Sequence, residues 1–192
     1  MPHYIYLAEN LKTLINMIKS IFKSLLFILL FLLSTNGFSQ ETDSVGYIVK
    51  NGEMAPNFEM KLIDGQTISL HDLKGKIVML QFTASWCSVC RKEMPFIEKE
   101  IWQIHKDKDF IVIGIDRDEP IETVIKFAEK MKITYPLSLD PNADIFGLFA
   151  LKQSGVTRNV IIDKEGRIVF KTRLFNREEF DLMKEKIETL LK

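Results

Sequence analysis

Cys87 and Cys90 are the only thiols in a chain of 192 residues, and they stand three positions apart in Trp86-Cys87-Ser88-Val89-Cys90-Arg91-Lys92-Glu93-Met94-Pro95. At that point a strongly apolar run gives way to a helical pattern. Two thiols at this spacing across the first turn of a helix lie close enough to close a disulfide without moving the backbone, and to reopen it. The unpaired N–H groups and positive dipole end of a helix N-terminus favour a thiolate over a thiol, and Arg91 and Lys92 add positive charge next door. Lowering a cysteine pKa from about 8.5 toward 7 is worth roughly 2 kcal/mol, within what a helix end and nearby cations supply. Cys87 is therefore expected to be the attacking thiolate and the more exposed of the two. Cys90, one turn into the helix, is expected to be its resolving partner.

Two blander readings compete. A structural disulfide at this spacing closes too small a loop to constrain the unfolded chain much. A zinc site needs two more ligands; outside the leader the chain offers His71 and His105, neither paired with a second Cys-x-x-Cys or a nearby His. The expectation is thus a redox-active disulfide with no metal and no cofactor. Lysine plus arginine equals aspartate plus glutamate at 26 each, which gives no reason to propose a nucleic-acid partner.

The N-terminus reads as a secretory leader. Residues 1–24 carry Lys12, Lys19 and Lys23 against Glu9, the apolar run Leu25 to Leu33 follows, and Gly37 and Ser39 supply the small residues for cleavage before Gln40. The alternative, an uncleaved anchor, has against it that the run is short of the ~20 apolar residues that span a bilayer. Met17 offers a second possible start. The expected organisation is a cleaved signal peptide at 1–39, a lead-in at 40–51 and one domain at 52–192, exported to the periplasm. The mature chain would hold 23 basic and 25 acidic side chains, and export places the cysteines in an oxidising compartment.

The elements that must position the pair follow from patterning. Val45 to Val49 reads as a short edge strand. Phe58 to Ile63, a turn at Asp64-Gly65 and Gln66 to Leu70 read as a hairpin. Ile77 to Phe82 is apolar on almost every side, as a covered central strand requires. The helix after Cys87 carries a stripe of Met94, Ile97, Ile101 and Ile104, with Pro95 expected to kink it. Asp109 to Ile115 completes a parallel crossover unit. A helix from about Pro120 to Met131, with Ile121, Val124, Ile125, Ala128 and Met131 on one face, precedes a short strand at Leu137 to Leu139 and a short helix at Asn142 to Leu151. Asn159 to Asp163 and Arg167 to Arg173 form a second hairpin, and Glu178 to Leu191 a last helix burying Phe180, Met183, Ile187 and Leu190. The fold class is α/β, a central mixed β-sheet flanked by helices.

On these motifs the chain resembles the thioredoxin superfamily, and more closely the exported TlpA/ResA-like thiol-disulfide oxidoreductases, over about residues 52 to 192. The likeness rests on Ala55-Pro56-Asn57-Phe58, Leu73-Lys74-Gly75-Lys76, Leu80-Gln81-Phe82 through Trp86-Cys87, Cys90 through Pro95, and Ile162-Asp163-Lys164-Glu165-Gly166-Arg167. It implies a thioredoxin-like fold with an N-terminal β-hairpin extension, and dithiol-disulfide exchange through Cys87 and Cys90. Trp86 is then expected to shape the surface that meets substrate.

Three positions depart from the family. Val89 replaces a proline in the dipeptide. Gln81 stands where thioredoxin has a buried aspartate, and Glu93, one turn after Cys90, is where the TlpA/ResA-like proteins have a functional glutamate; burial there is expected to raise its pKa. Thr157 falls at the family's cis-proline, where a cis bond costs about 2.5 to 4 kcal/mol for a non-proline. Val156 and Thr157 are the candidates for lining the substrate groove.

The resemblance implies an exported reductase of protein disulfides, recharged by a membrane electron donor of thiol-disulfide type, with cytochrome c maturation as one role. Two other classes compete. A thiol peroxidase would share the Ala-Pro-x-Phe lead-in, but a peroxidatic cysteine is usually preceded by threonine at minus three, where this chain has Ala84, with Thr83 one place off. The other is a non-catalytic thioredoxin-like binding domain.

Overall fold

The computed structural model describes residues 15–24 and 43–192. Residues 15–24 are helical; the expected leader core and its cleavage point before Gln40 lie outside the described residues. Among the described residues no helix is long and apolar enough to cross a membrane.

From residue 43 onward the chain builds one mixed sheet from β1 (Glu59–Leu62), β2 (Thr67–Ser69), β3 (Ile77–Thr83), β4 (Phe110–Arg117), β5 (Leu137–Asp140), β6 (Arg158–Ile162) and β7 (Ile168–Arg173). The strand order is β2-β1-β5-β4-β3-β6-β7. β3, β4 and β5 run parallel, while β1 with β2, β1 with β5, β3 with β6 and β6 with β7 pair antiparallel. β3 is buried at every position because it has a strand on each edge and packing on each face. The expected hairpin β1–β2 turns at Asp64-Gly65, where Gly65 takes a φ of 91° that a side chain would resist.

Period-two alternation sorts the core onto the two faces. Val78, Leu80 and Phe82 face the N-terminal segment and the loop before β6, through Tyr47, Phe58, Phe146 and Phe149. Phe82 lies 5.4 Å, centroid to centroid, from both Phe146 and Phe149. On the other face Ile77 and Met79 meet α1 (Ser88–Ile97), α2 (Ile121–Met131) and α3 (Arg177–Leu190), through Met94, Ile97, Val124, Phe127, Phe180 and Met183.

Four local expectations are corrected. Residues 45–49 form no strand: the Asp43 carboxylate accepts the N–H groups of Val45 and Tyr47, and Tyr47 makes a lone bridge to Ala150. After Pro95 the helix passes into a π turn over Glu98–Trp102 before a last turn at Gln103–His105. That wider turn moves the buried stripe from Ile101 to His105 and leaves Ile104 58% exposed. On α2, Phe127 and not Ile125 faces the core. Asn142 to Leu151 holds a single 3-10 turn, Phe146–Leu148, because the Asp140 carboxylate accepts from Ile145 N and Phe146 N and Ala143 is left-handed, at a φ of 52°.

Phe82 joins β3 to the loop that covers it. Phe82→Ala is expected to lower unfolding stability by about 3 to 5 kcal/mol in urea titrations; a loss below about 1 kcal/mol would mean that this loop is not packed on the sheet.

Candidate active site

The cysteines sit where β3 hands over to α1. After Thr83 the chain turns, with Cys87 N–H donating to Ala84 O at 3.1 Å, and Cys87 becomes the N-cap of α1. Its sulfur accepts the Cys90 N–H at 3.1 Å, taking one of the donors that a first helical turn cannot satisfy internally. The two are joined as a disulfide with their Cα atoms 5.3 Å apart. Cys87 is 7% exposed and Cys90 fully buried, while Trp86 beside them is 58% exposed.

The approach to Cys87 is braced at Ser85. The Glu119 carboxylate accepts both its N–H and its hydroxyl, and the Arg91 guanidinium donates to its carbonyl. Arg91, expected as a nearby positive charge, is thus also a strut for the turn, whereas Lys92 is exposed. The Thr83 hydroxyl contacts the Met94 sulfur at 3.5 Å.

Across from the disulfide lies the loop before β6. The Val156–Thr157 peptide is trans; no cis peptide occurs among the described residues. Thr157 Oγ1 lies 3.1 Å from Cys87 Sγ and 3.3 Å from Cys90 Sγ. Val156 is buried in the same apolar cluster as the cysteines, so its side chain lines no open groove. Beneath the loop, the buried Arg158 guanidinium donates to Gly155 O at 2.6 Å, to Val45 O and to Ser154 Oγ, and stacks 4.9 Å from the Tyr47 ring centre.

Glu93 points inward from α1 and is 1% exposed. Its Oε1 accepts from Asn159 Nδ2 at 2.7 Å, and the same amide donates to Thr172 Oγ1. Its Oε2 has no protein partner. Burial pushes this carboxyl up to about 7, with the Asn159 and Gln81 amides pulling back. Gln81 in turn accepts the Tyr135 hydroxyl at 2.7 Å. Tyr47 closes the network, donating to the carbonyls of Asn159 and Thr172.

Asn159, Tyr135, Tyr47 and Arg158 are the neighbours that sequence reasoning missed, as is Asp116. That side chain is fully buried at the end of β4, and burial, with Glu119 adding, pushes its carboxyl up to about 8. A lone polar residue in an apolar strand, as in Ile113-Gly114-Ile115-Asp116 or Asn159-Val160-Ile161-Ile162, was the available signal. Among the described residues no group of three or more His, Cys, Asp or Glu is gathered as a metal site requires.

Residues 51–171 match the model of the AhpC/TSA family. The chain is 33% identical over 153 residues to the thiol-disulfide oxidoreductase ResA of Bacillus cereus strain ATCC 10987, covering 76% of this chain and 85% of that one. A solution structure from Bacteroides thetaiotaomicron, provisionally assigned as a protein disulfide isomerase, superimposes with a TM-score of 0.75 at 60% identity, covering 78% of this chain and 94% of that one. The thioredoxin domain of a thiol-disulfide oxidoreductase from Bacteroides vulgatus superimposes with a TM-score of 0.64 at 27% identity, covering 75% and 99%. The sheet and its helices are thus thioredoxin-like, as the sequence led one to expect.

Because the folded Glu93 carboxyl holds its proton up to about 7, against an ordinary 4.5, this group's contribution to stability is fully present only below pH ~4.5. It falls as pH rises toward 7, by roughly 1.4 kcal/mol per unit of difference in pKa. Glu93→Gln in the oxidised protein is therefore expected to melt higher than the parent at pH 8 and close to it at pH 4.5. A gap that does not change with pH would show that the carboxyl is not held neutral.

Proposed function

We propose, from the premise that this chain belongs to the AhpC/TSA family and is a ResA-like thiol-disulfide oxidoreductase, that it works outside the cytoplasm as a reductase of disulfides in other proteins. The observation that carries this reading is the unequal placement of the two sulfurs. Cys87 sits at a helix N-cap beside an exposed tryptophan, and Cys90 is buried behind it.

The chemistry balances with these groups alone. The Cys87 thiolate attacks one sulfur of a substrate disulfide; that bond breaks, a mixed disulfide forms, and the other substrate sulfur leaves as a thiolate that takes a proton. Cys90, once deprotonated, attacks Cys87 Sγ and breaks the mixed disulfide. The substrate has then gained two electrons and the Cys87–Cys90 disulfide has closed.

Glu93 is the group suited to take the Cys90 proton. It lies one turn further along α1, is buried, and has its pKa raised to about 7, near the working pH. Trp86 is the exposed surface where a substrate chain would lie, while Thr157 meets the sulfurs from a buried position. The reduced state must be restored by a dithiol, which we assign to a membrane donor of thiol-disulfide type, and the leader at 1–39 supports export. Cytochrome c maturation is the process this chemistry fits, through reduction of Cys-x-x-Cys disulfides.

Cys90→Ser is expected to accumulate mixed disulfides through Cys87, seen as reducible adducts in non-reducing gels, and Cys87→Ser to give none. Glu93→Gln is expected to slow exchange by about 100-fold near neutral pH. The couple is expected to titrate near −270 mV, as thioredoxin does; a value near −120 mV would make the protein an oxidant and overturn the direction proposed.

A further inference from the structure

We infer that the Thr157 hydroxyl is a catalytic hydrogen-bond donor that serves the two active-site sulfurs in turn. Its oxygen lies 3.1 Å from Cys87 Sγ and 3.3 Å from Cys90 Sγ, and the residue is 3% exposed. With the sulfurs bonded to each other, the proton in these contacts belongs to the hydroxyl. A disulfide sulfur is a poor acceptor and a thiolate a strong one, so the same contact gains strength when either sulfur takes on charge. An interaction that strengthens as the charge develops speeds the step instead of only holding the resting state.

The backbone keeps the hydroxyl in place. The Thr157 carbonyl accepts the Leu174 N–H at 3.1 Å, β6 begins at the next residue, and the Arg158 guanidinium ties the Ser154–Gly155 stretch and Val45 beneath the loop. The hydroxyl oxygen lies within reach of both sulfurs at once, so rotation of its hydrogen about the Cβ–Oγ1 bond redirects the donor without moving the main chain. In the reduced protein it donates to the Cys87 thiolate alongside the Cys90 N–H. Once Cys87 is held in the mixed disulfide and Cys90 is deprotonated, it turns to Cys90. When Cys90 attacks, the charge passes to the departing substrate thiolate and the Cys87–Cys90 bond closes. The hydroxyl proton is never transferred, so this role adds no electron or proton to the exchange. Proline offers no such donor, so its replacement at this position changes the chemistry of the site as well as its shape.

The role rests on the thiol-disulfide reading, and the test separates the two. Thr157→Val removes the hydroxyl at nearly constant shape, Thr157→Ala removes it in a second way should valine disturb folding, and Thr157→Ser keeps it. Each reduced protein is titrated by the pH dependence of iodoacetamide alkylation at Cys87, and each couple is equilibrated against dithiothreitol buffers.

Losing the hydroxyl is expected to raise the Cys87 pKa by about one unit, a tenfold loss of thiolate below that pKa. Because the reduced form loses that stabilisation, the potential measured at a pH above both pKa values is expected to become more negative by about 30 mV, the same tenfold factor for two electrons. Serine should restore both. If valine and alanine leave both readings unchanged, or if serine behaves like valine, the donor role is overturned while the couple itself stands. If no variant nor the parent shows a reversible couple, it is the thiol-disulfide reading that fails.

Discussion

The structure depends on how the chain passes from β3 to α1. A strand buried on both faces ends, and within five residues a helix begins whose first N–H groups have no partner inside the helix. The Cys87 sulfur accepts one of them, so the atom that reacts is also the atom that caps the helix. A negative charge on that sulfur is favoured by the same N–H groups and dipole that start the helix. The turn itself is held by Ser85, fastened on one side to Glu119 and on the other to Arg91. Because the sheet fixes one end of this turn and α1 the other, the sulfur has little freedom to wander. Its partner Cys90 is carried on the same rigid turn.

Beneath the sulfurs the fold tolerates a buried polar layer that a purely apolar core would not contain. Glu93, Asn159, Thr172 and Tyr47 are joined by hydrogen bonds across α1, β6, β7 and the segment before β1, and on β3 Gln81 separately accepts the Tyr135 hydroxyl. The layer is not fully satisfied: Glu93 Oε2, Gln81 Nε2 and Asn159 Oδ1 lack protein partners. Leaving a buried polar atom unpaired costs about 1 to 3 kcal/mol, so this layer works against stability. Its consequence is a carboxyl that burial raises to about 7, one helical turn from Cys90. Under the proposed mechanism that is a trade of stability for reactivity of the kind expected where protons must move.

The loop opposite the disulfide solves a positioning problem without proline. In place of a ring that restricts the backbone, the chain uses the buried Arg158, whose guanidinium gathers Val45, Ser154 and Gly155 and rests on Tyr47. A buried cation is expensive unless its donors are used, and here its terminal nitrogens are bonded. The lead-in segment is therefore part of the site's support. Its expected strand gives way to a tight Asp43-centred turn, which presents the Val45 carbonyl to Arg158.

The sequence by itself determined the reactive pair, its place at a strand-to-helix junction, the parallel crossover, both hairpins and the candidacy of Glu93. Each of these is encoded within a few residues, by cysteine spacing, by runs of apolar side chains, or by turn residues such as Asp64-Gly65. What the tertiary structure decided are the relations between distant segments. Glu93 meets Asn159, 66 positions away, and the Thr157 hydroxyl reaches Cys87 across 70 positions. Local patterning also failed where a side chain from elsewhere, or a change of helical pitch, overrode it. The Asp140 carboxylate unwound the expected helix at Asn142 to Leu151, and the π turn after Pro95 rotated Ile104 out of the core. Periodicity reports which face of a regular element is apolar; it carries no record of which polar group from another element will arrive to satisfy or break it.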